Sequence, residues 1–311
     1  MIKPNVDVII PLYKPGKELY VLLDALLGQT VAVNKIILAN TEEKYFDELT
    51  YGTLFQKKYA KYVEVFHLSK REFDHGGTRH LAVKRSCADI FVMMTQDALP
   101  ADNRLLENLL APLSEEKTAV SYARQLPAEG CNEAEAYTRR FNYPAESCVK
   151  TLSDLPTLGI KTYFCSNVCA AYKRSIYKES GGFCRHTIFN EDMIYAAGVV
   201  KNGYAIAYAA DAAVIHSHNY THIQQFQRNF DLGVSQADHP EIFKGIPSEK
   251  EGKKMVRQTG AYLWRHKKSL IFHFYLQCAF KYAGYLCGKH YRVLPRFLIK
   301  KCTSNKEYWR R

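Results

Sequence analysis

A chain of 311 residues, 47% hydrophobic and 24% charged, has room for one large domain or one domain with an appendage. That balance excludes a disordered or fibrous chain. The formal net charge of +12 is lopsided: from Glu251 onward there are 15 Lys/Arg against 2 Asp/Glu, while residues 1–250 hold 28 against 29. A basic end on a neutral body points to a tail that meets an anionic surface.

Nine cysteines without Cys-x-x-Cys spacing fit reduced thiols of the cytosol rather than a disulfide framework. The start, Met1-Ile-Lys-Pro4, leads into a strand without the pattern of a signal peptide. No stretch offers the roughly 18 uninterrupted apolar residues of a membrane span.

Val6 to Leu12 reads as a buried strand, followed by a turn at Tyr13-Lys14-Pro15-Gly16. Leu19, Leu22, Leu23, Leu26 and Leu27 fall at helical spacing between Glu18 and Gln29. Strands follow at Lys35 to Ala39 and Tyr62 to Leu68, then a helix from Gly76 to Cys87 and a strand through Phe91 to Thr95. Strands alternating with helices predict an α/β fold around a mostly parallel sheet, with the strand ends along one edge.

Further on, strands are expected at Ala119 to Arg124, Phe164 to Tyr172 and Ala205 to Ile215, and helices at Gly130 to Tyr143 and Asn190 to Lys201. The Pro-, Gly- and charge-rich stretch 238–252 reads as a linker, which divides the chain into a domain of residues 1–237 and a basic helical region of residues 253–311.

The stretch Phe91-Val-Met-Met-Thr-Gln-Asp-Ala-Leu-Pro100 draws the most attention. It is an apolar strand that ends on one carboxylate, Asp97. Ligands of open α/β sheets bind at such edges, and a lone carboxylate there calls for a partner or a metal. The plainer reading makes Asp97 the N-cap of a helix over Ala98 to Leu110. Gly76-Gly77-Thr78-Arg79 opens a helix, where backbone N–H groups and the Arg79 cation suit a phosphate. Glu191-Asp192 begins another helix. Acidic residues there either complement the helix dipole or supply a general base, Asp192, with Glu191 orienting an acceptor or tuning its neighbour. His216 and His218, two apart after a strand, are expected to face opposite sides, one toward a metal and one bracing a loop. His222 nearby lacks the cysteines of a closed zinc set.

The order of these pieces resembles glycosyltransferase family 2: Val-Ile-Ile-Pro-Leu-Tyr, Asn-Thr-Glu, Phe73-Asp-His-Gly-Gly-Thr-Arg-His80, Thr-Gln-Asp-Ala, Gly-Gly-Phe with Glu-Asp, and His-Ser-His. Thr-Gln-Asp-Ala, Arg124-Gln-Leu-Pro127, Phe141-Asn-Tyr-Pro144 and His-Ser-His-Asn-Tyr are similar to segments of its bacterial rhamnosyltransferases of cell-surface polysaccharide synthesis. The resemblance implies a GT-A fold and inverting transfer from a nucleotide-sugar, for a rhamnosyltransferase dTDP-β-L-rhamnose. A divalent metal, manganese or magnesium, would be held by Asp97 and His216.

It further implies donor contacts at Pro11, Tyr13, Asn40, Glu42, Gly76, Gly77, Arg79, Gln96 and Asp97, and Asp192 with Glu191 as the catalytic pair. Arg124, Gln125, Asn142, Tyr143, Asn167 and His218 are candidate acceptor or sugar contacts. Thr95 stands where the family's metal motif usually has a first Asp, which leaves Asp97 in need of help.

The basic tail mixes Phe272, Phe274, Tyr275, Phe280, Tyr282 and Tyr285 with lysines, a pattern suited to helices lying on a membrane surface. The expected setting is the cytoplasmic face of the cell membrane, with a lipid-linked glycan as acceptor and no nucleic acid partner. The alternatives are a helical pair serving as a homodimer interface, a UDP-hexose donor, or a non-catalytic nucleotide-sugar binder.

Overall fold

The computed structural model describes residues 4–246 and 249–310. The first strand, β1 (Val6–Tyr13), lies between β2 (Lys35–Thr41) and β4 (Ile90–Met94), and β3 (Val63–Leu68) flanks β2, all parallel. Val6, Val8, Ile10 and Leu12 pack with Leu19, Leu22, Leu23 and Leu26 of the helix Glu18–Leu27, while Ile9 joins Ile37, Phe91 and Met93 on the opposite face. Burial on both faces is why β1 reads as a nearly unbroken apolar run. Pro11 is tolerated because the pairing with β4 ends at Ile9 opposite Met93, so the proline lies beyond the stretch flanked on both sides.

Past β4 the sheet changes character. It is completed by β5 (Leu99–Pro100), β6 (Thr118–Leu126), β7 (Cys148–Lys150), β8 (Cys169–Lys173) and β9 (Ala205–Ile215). Among the described residues the nine strands form one sheet in the order β3-β2-β1-β4-β8-β6-β9-β5, with β7 on β9. β8 runs antiparallel to β4 and β6, and β6 runs parallel to β9.

Two expectations shift here. Helix does not follow Asp97, because β5 pairs with the end of β9 and the helix begins only at Leu105. The strand expected from Phe164 starts at Cys169. Residues 164–168 instead cross the strand ends, where the Val168 carbonyl accepts from Thr95 N–H and the buried Lys150 ammonium donates to the Lys161 and Phe164 carbonyls.

The basic C-terminal region is folded against the sheet domain. Helix Ile271–Lys289 packs along helix His222–Asp238 at backbone contact: a Cβ on Gly284 would lie 2.2 Å from the Phe226 carbonyl oxygen, and one on Gly288 2.1 Å from that of Phe230. Helix Glu249–His266 stacks Tyr262 on Tyr137 and donates from its hydroxyl to Glu133. Farther on, Thr303 and Ser304 donate to buried Asp231, and Tyr308 stacks on His186. The 238–252 stretch expected as a linker holds a short helix, Pro240–Phe243, with Ile242 and Phe243 in the core, and the first turn of helix Glu249–His266; its Pro247 and Ser248 lie outside the described residues. The reading of Met1 to Lys3 likewise falls outside them.

Among the described residues no helix is long and apolar enough to cross a membrane, and all nine cysteines are free thiols. The glycine contact predicts that Gly288→Val forces the two long helices apart and lowers stability by about 1–3 kcal/mol. Chemical denaturation of the full chain checks this, with Gly252→Ala, which meets open space, as the control.

Candidate active site

Strand pairing assembles the first half of the site. Met94 ends β4, the turn Thr95–Ala98 carries Asp97 outward, and β5 then sets Leu99 opposite Ile215 at the end of β9. His216, the next residue, is thereby brought beside Asp97. Its Nε2 lies 3.5 Å from one Asp97 oxygen, and His218 Nε2 lies 3.1 Å from the other. Both imidazoles therefore converge on Asp97. The alternation that would place them on opposite sides applies only within a strand, and β9 stops at Ile215.

Gln125 sets the state of His216. Its Oε1 accepts from Arg139, which can only donate, so the amide orientation is fixed. The same oxygen lies 3.1 Å from His216 Nδ1, which must then carry the proton and leave Nε2 with a free lone pair toward Asp97. Burial pushes the His216 pKa down, outweighing the pull of Asp97, and keeps the ring neutral. Burial alone would raise the Asp97 carboxyl, but His216 and His218 beside it hold it far below the ordinary range.

One carboxylate oxygen and two imidazole nitrogens within 4.8 Å of one another, with Asp97 partly exposed, suit a divalent cation that keeps open positions. Two imidazoles in the set favour manganese over magnesium. His218 lies where it would add a third ligand to Asp97 and His216. His222 does not join them; it packs against His273 and Phe280.

The second half is built on helix Glu191–Lys201. Asp192 Oδ2 accepts from the Asn167 backbone N–H at 2.9 Å, and the Asn167 side chain donates to Glu191 Oε1 at 3.0 Å. Glu191 is buried and paired with Arg79 at 3.2 Å. Burial alone would raise it, but Arg79 and His75 beside it bring Glu191 below the ordinary range. Burial, reinforced by the Glu191 charge, drives its neighbour Asp192 the other way, up to about 7. Two adjacent carboxyls pushed apart in this way leave Asp192 able to take up a proton near neutrality. Glu191 is engaged by Arg79 and the Asn167 side chain, next to Asp192.

Gln125 joins the halves. Its Nε2 donates to Tyr143 at 2.6 Å and to Ser166 at 3.0 Å, and Ser166 precedes the Asn167 that holds Asp192. Two expected contacts do not enter this network: Asn142 is exposed at the end of its helix, and Arg124 acts on Tyr208.

On the donor side, Gln96 clamps the Tyr13 backbone through two hydrogen bonds, and Tyr13, at 41% exposure, meets Tyr45 edge-on. Lys14 and Lys70 lie over these rings. Buried Asn40 binds His67 and the Glu42 carbonyl but leaves its Oδ1 unpartnered, and Glu42 accepts from Lys70 N–H. Aromatic faces, cations and an orphaned polar atom at the strand ends fit a nucleotide.

Gly76 and Gly77 do not form a phosphate cradle. Asp74 caps that helix, and Cβ atoms on the glycines would meet the carbonyl oxygens of Cys184 at 1.8 Å and Arg185 at 2.8 Å. They serve close packing, and Arg79 is spent on Glu191. The cation that sequence reading missed is Arg228. It lies over Tyr220 (4.7 Å) and Phe189 (5.4 Å), Tyr220 stacks on His218, and Arg228 pairs with no carboxylate among the described residues. Only its basic character on a helix just after His-Ser-His hinted at it.

The profile described as "Glycosyl transferase family 2" matches residues 7–181. Among characterised proteins, the chain is 38% identical to the O-antigen chain rhamnosyltransferase RfbN of Salmonella typhimurium (strain LT2) over 98% of this chain and 96% of that one. It is 40% identical to the O-antigen chain rhamnosyltransferase WbaN of Salmonella anatum over 78% of each. Its fold is shared with the mannosyltransferase PcManGT of Pyrobaculum calidifontis, solved with GDP-Man and Mn2+, at TM-score 0.62 and 15% identity over 93% of this chain and 88% of that one. TarS of S. aureus (residues 1–349), solved with UDP-GlcNAc, shares it at TM-score 0.52 over 93% and 91%.

The donor set predicts that Mn2+ binds the metal-free protein more tightly than Mg2+. His218→Ala and Asp97→Asn should each weaken Mn2+ by at least about tenfold, and Gln125→Leu by about 10–100-fold through loss of the His216 tautomer lock. Titration followed by Mn2+ electron paramagnetic resonance reads all three; unchanged affinity in Gln125→Leu would refute the lock.

Proposed function

Since the chain belongs to glycosyl transferase family 2 and is a glycosyltransferase, we propose that it transfers L-rhamnose, with inversion, from dTDP-β-L-rhamnose to a lipid-linked surface polysaccharide. What carries the reading of the sugar is the match to RfbN along almost the full length of both chains. The membrane's inner face is the proposed setting, with the basic tail toward the anionic leaflet.

In this reading the base and ribose lie against Tyr13, Tyr45, Asn40 and Glu42, and the diphosphate reaches toward Asp97. A divalent cation held by Asp97, His216 and His218 would neutralise charge on the diphosphate as it leaves. Asp192 takes the proton from the acceptor hydroxyl, whose oxygen attacks the anomeric carbon as the bond to the nucleoside diphosphate breaks on the opposite face. Asn167 N–H keeps Asp192 aimed, and burial, reinforced by the Glu191 charge, raises its basicity. Arg228, stacked between Tyr220 and Phe189, supplies positive charge to the leaving group.

Three outcomes test this. Asp192→Asn should lower transfer by at least about 10²–10⁴-fold while dTDP binding stays within about twofold. For the unaltered chain, transfer should rise as pH climbs through about 7 and level off above it, because Asp192 works only as the carboxylate and its pKa is raised to about 7; a limb at pH 4 would rule Asp192 out. In calorimetric competition, dTDP should bind more tightly than UDP, and the reverse order would remove the rhamnose assignment.

A further inference from the structure

Helix Ile271–Lys289 turns one side to the protein and the other to solvent. Gly284 and Gly288 meet the Phe226 and Phe230 carbonyls of helix His222–Asp238, and Phe274 is buried with Leu263. On the side opposite the glycines, Phe272, Tyr275, Ala279, Tyr282, Ala283 and Leu286 are all exposed. Their spacing keeps them within about 100° of the helix circumference at 3.6 residues per turn. None of the six carries a charge, and Phe272 is 79% exposed. The solvent side of a surface helix ordinarily holds polar and charged groups, so a continuous apolar stripe there marks a contact surface.

The charge around the stripe says what it contacts. From Gly252 to Lys306 the chain has 13 Lys/Arg and no Asp/Glu. Lys267 and Lys268 stand exposed just before the helix, and Lys300 and Lys301 stand exposed on helix Arg296–Cys302 beyond its other end. None of these four pairs with a carboxylate among the described residues, whereas Arg292 is taken by Asp238. Val293 (82% exposed) and Phe297 (62%) add apolar side chains close in sequence to the second pair.

An apolar stripe with cations at both ends is complementary to an anionic bilayer surface, where apolar side chains enter the headgroup layer and lysines meet lipid phosphates. A second copy of the chain fits less well, because a two-fold contact over this side would set the same 13 cations against their like. The stripe is also tied to the reaction centre. On helix His222–Asp238, Phe226 and Phe230 present their carbonyls to the glycines, and Arg228, two residues from each, falls on the far side, over Phe189 and Tyr220.

We infer that the exposed stripe of helix Ile271–Lys289 is the surface by which the chain lies on an anionic leaflet. Phe272, Tyr275, Tyr282 and Leu286 enter the headgroup layer, Lys267, Lys268, Lys300 and Lys301 meet lipid phosphates, and helix His222–Asp238 carries the cleft above them at a fixed height. This deepens the membrane setting proposed above and rests on it.

Co-sedimentation of the full chain with vesicles tests the stripe. Phosphatidylglycerol vesicles should bind at least tenfold more tightly than phosphatidylcholine vesicles. Phe272→Ser with Leu286→Ser should weaken the phosphatidylglycerol association at least tenfold, and Lys267→Gln with Lys268→Gln by about tenfold. Val21→Ser with Val149→Ser, at half-exposed apolar positions of the sheet domain, should leave it unchanged. Full association of Phe272→Ser with Leu286→Ser, alongside association of the unaltered chain, would overturn the stripe and leave the membrane setting to another surface. An unaltered chain that binds neither kind of vesicle would overturn both, and equal binding to the two lipids would remove the anionic leaflet. An unaltered chain that sediments as a dimer without vesicles, and a Phe272→Ser with Leu286→Ser variant that sediments as a monomer, would overturn the inference by making the occupant a second copy.

Transfer assays separate this from the catalytic reading. Phe272→Ser with Leu286→Ser should keep transfer to a water-soluble oligosaccharide acceptor and lose at least tenfold toward a lipid-linked acceptor in vesicles. An unaltered chain that transfers to neither acceptor would sink the catalytic reading, while the vesicle measurements would still decide the stripe.

Discussion

A single buried amide ties the cleft together. Gln125 receives Arg139 and His216 on its oxygen and gives its two N–H groups to Tyr143 and Ser166. Arg139 can only donate there, so the amide cannot turn over without setting its own N–H groups against that buried donor. The metal-side imidazole and the loop that aims the base therefore share one orientation. A shift on either side is felt on the other, which on the proposed reading couples a metal ligand to the base.

The sheet explains how residues so far apart in sequence reach this point. On the proposed reading the parallel half, β3-β2-β1-β4, supplies the nucleotide edge and Asp97, and the mixed half supplies the base and the two imidazoles. The two-residue strand β5 is the hinge between them. By pairing with the end of β9 it folds the Asp97 turn back onto His216, across more than a hundred residues of chain. Without that pairing the sequence would offer a carboxylate and two histidines with no reason to meet.

Much of this was legible beforehand, and the rest was hidden for physical reasons. Strands buried on both faces announce themselves as apolar runs, so β1, β4 and β9 stood out, and with them Asp97 and His216 at their ends. Asp192 showed as an acidic first turn. The place of His218 beside Asp97 was obscured because strand alternation was carried past the strand's end. Gly76 and Gly77 looked like a phosphate loop because a glycine kept small for a ligand and one kept small for a neighbouring carbonyl are the same letter; only the Cys184 and Arg185 oxygens tell them apart. Gln125 and Arg228 act through partners up to 91 residues away or through ring faces, which no local pattern records. The stretch taken for a linker carried the composition of one, yet Ile242 and Phe243 anchor it in the core.

The glycines of the two long helices bear on how such chains can be recombined. Because Gly233, Gly284 and Gly288 are fitted to backbone atoms of the facing helix, the basic region is not a portable module. Grafted onto another catalytic domain, it would dock only if the recipient's own helix after the histidine pair carried a small residue in register. Changes along this seam among related chains would then have to come in pairs on both helices, and exchange of whole tails should be rarer than their gradual divergence.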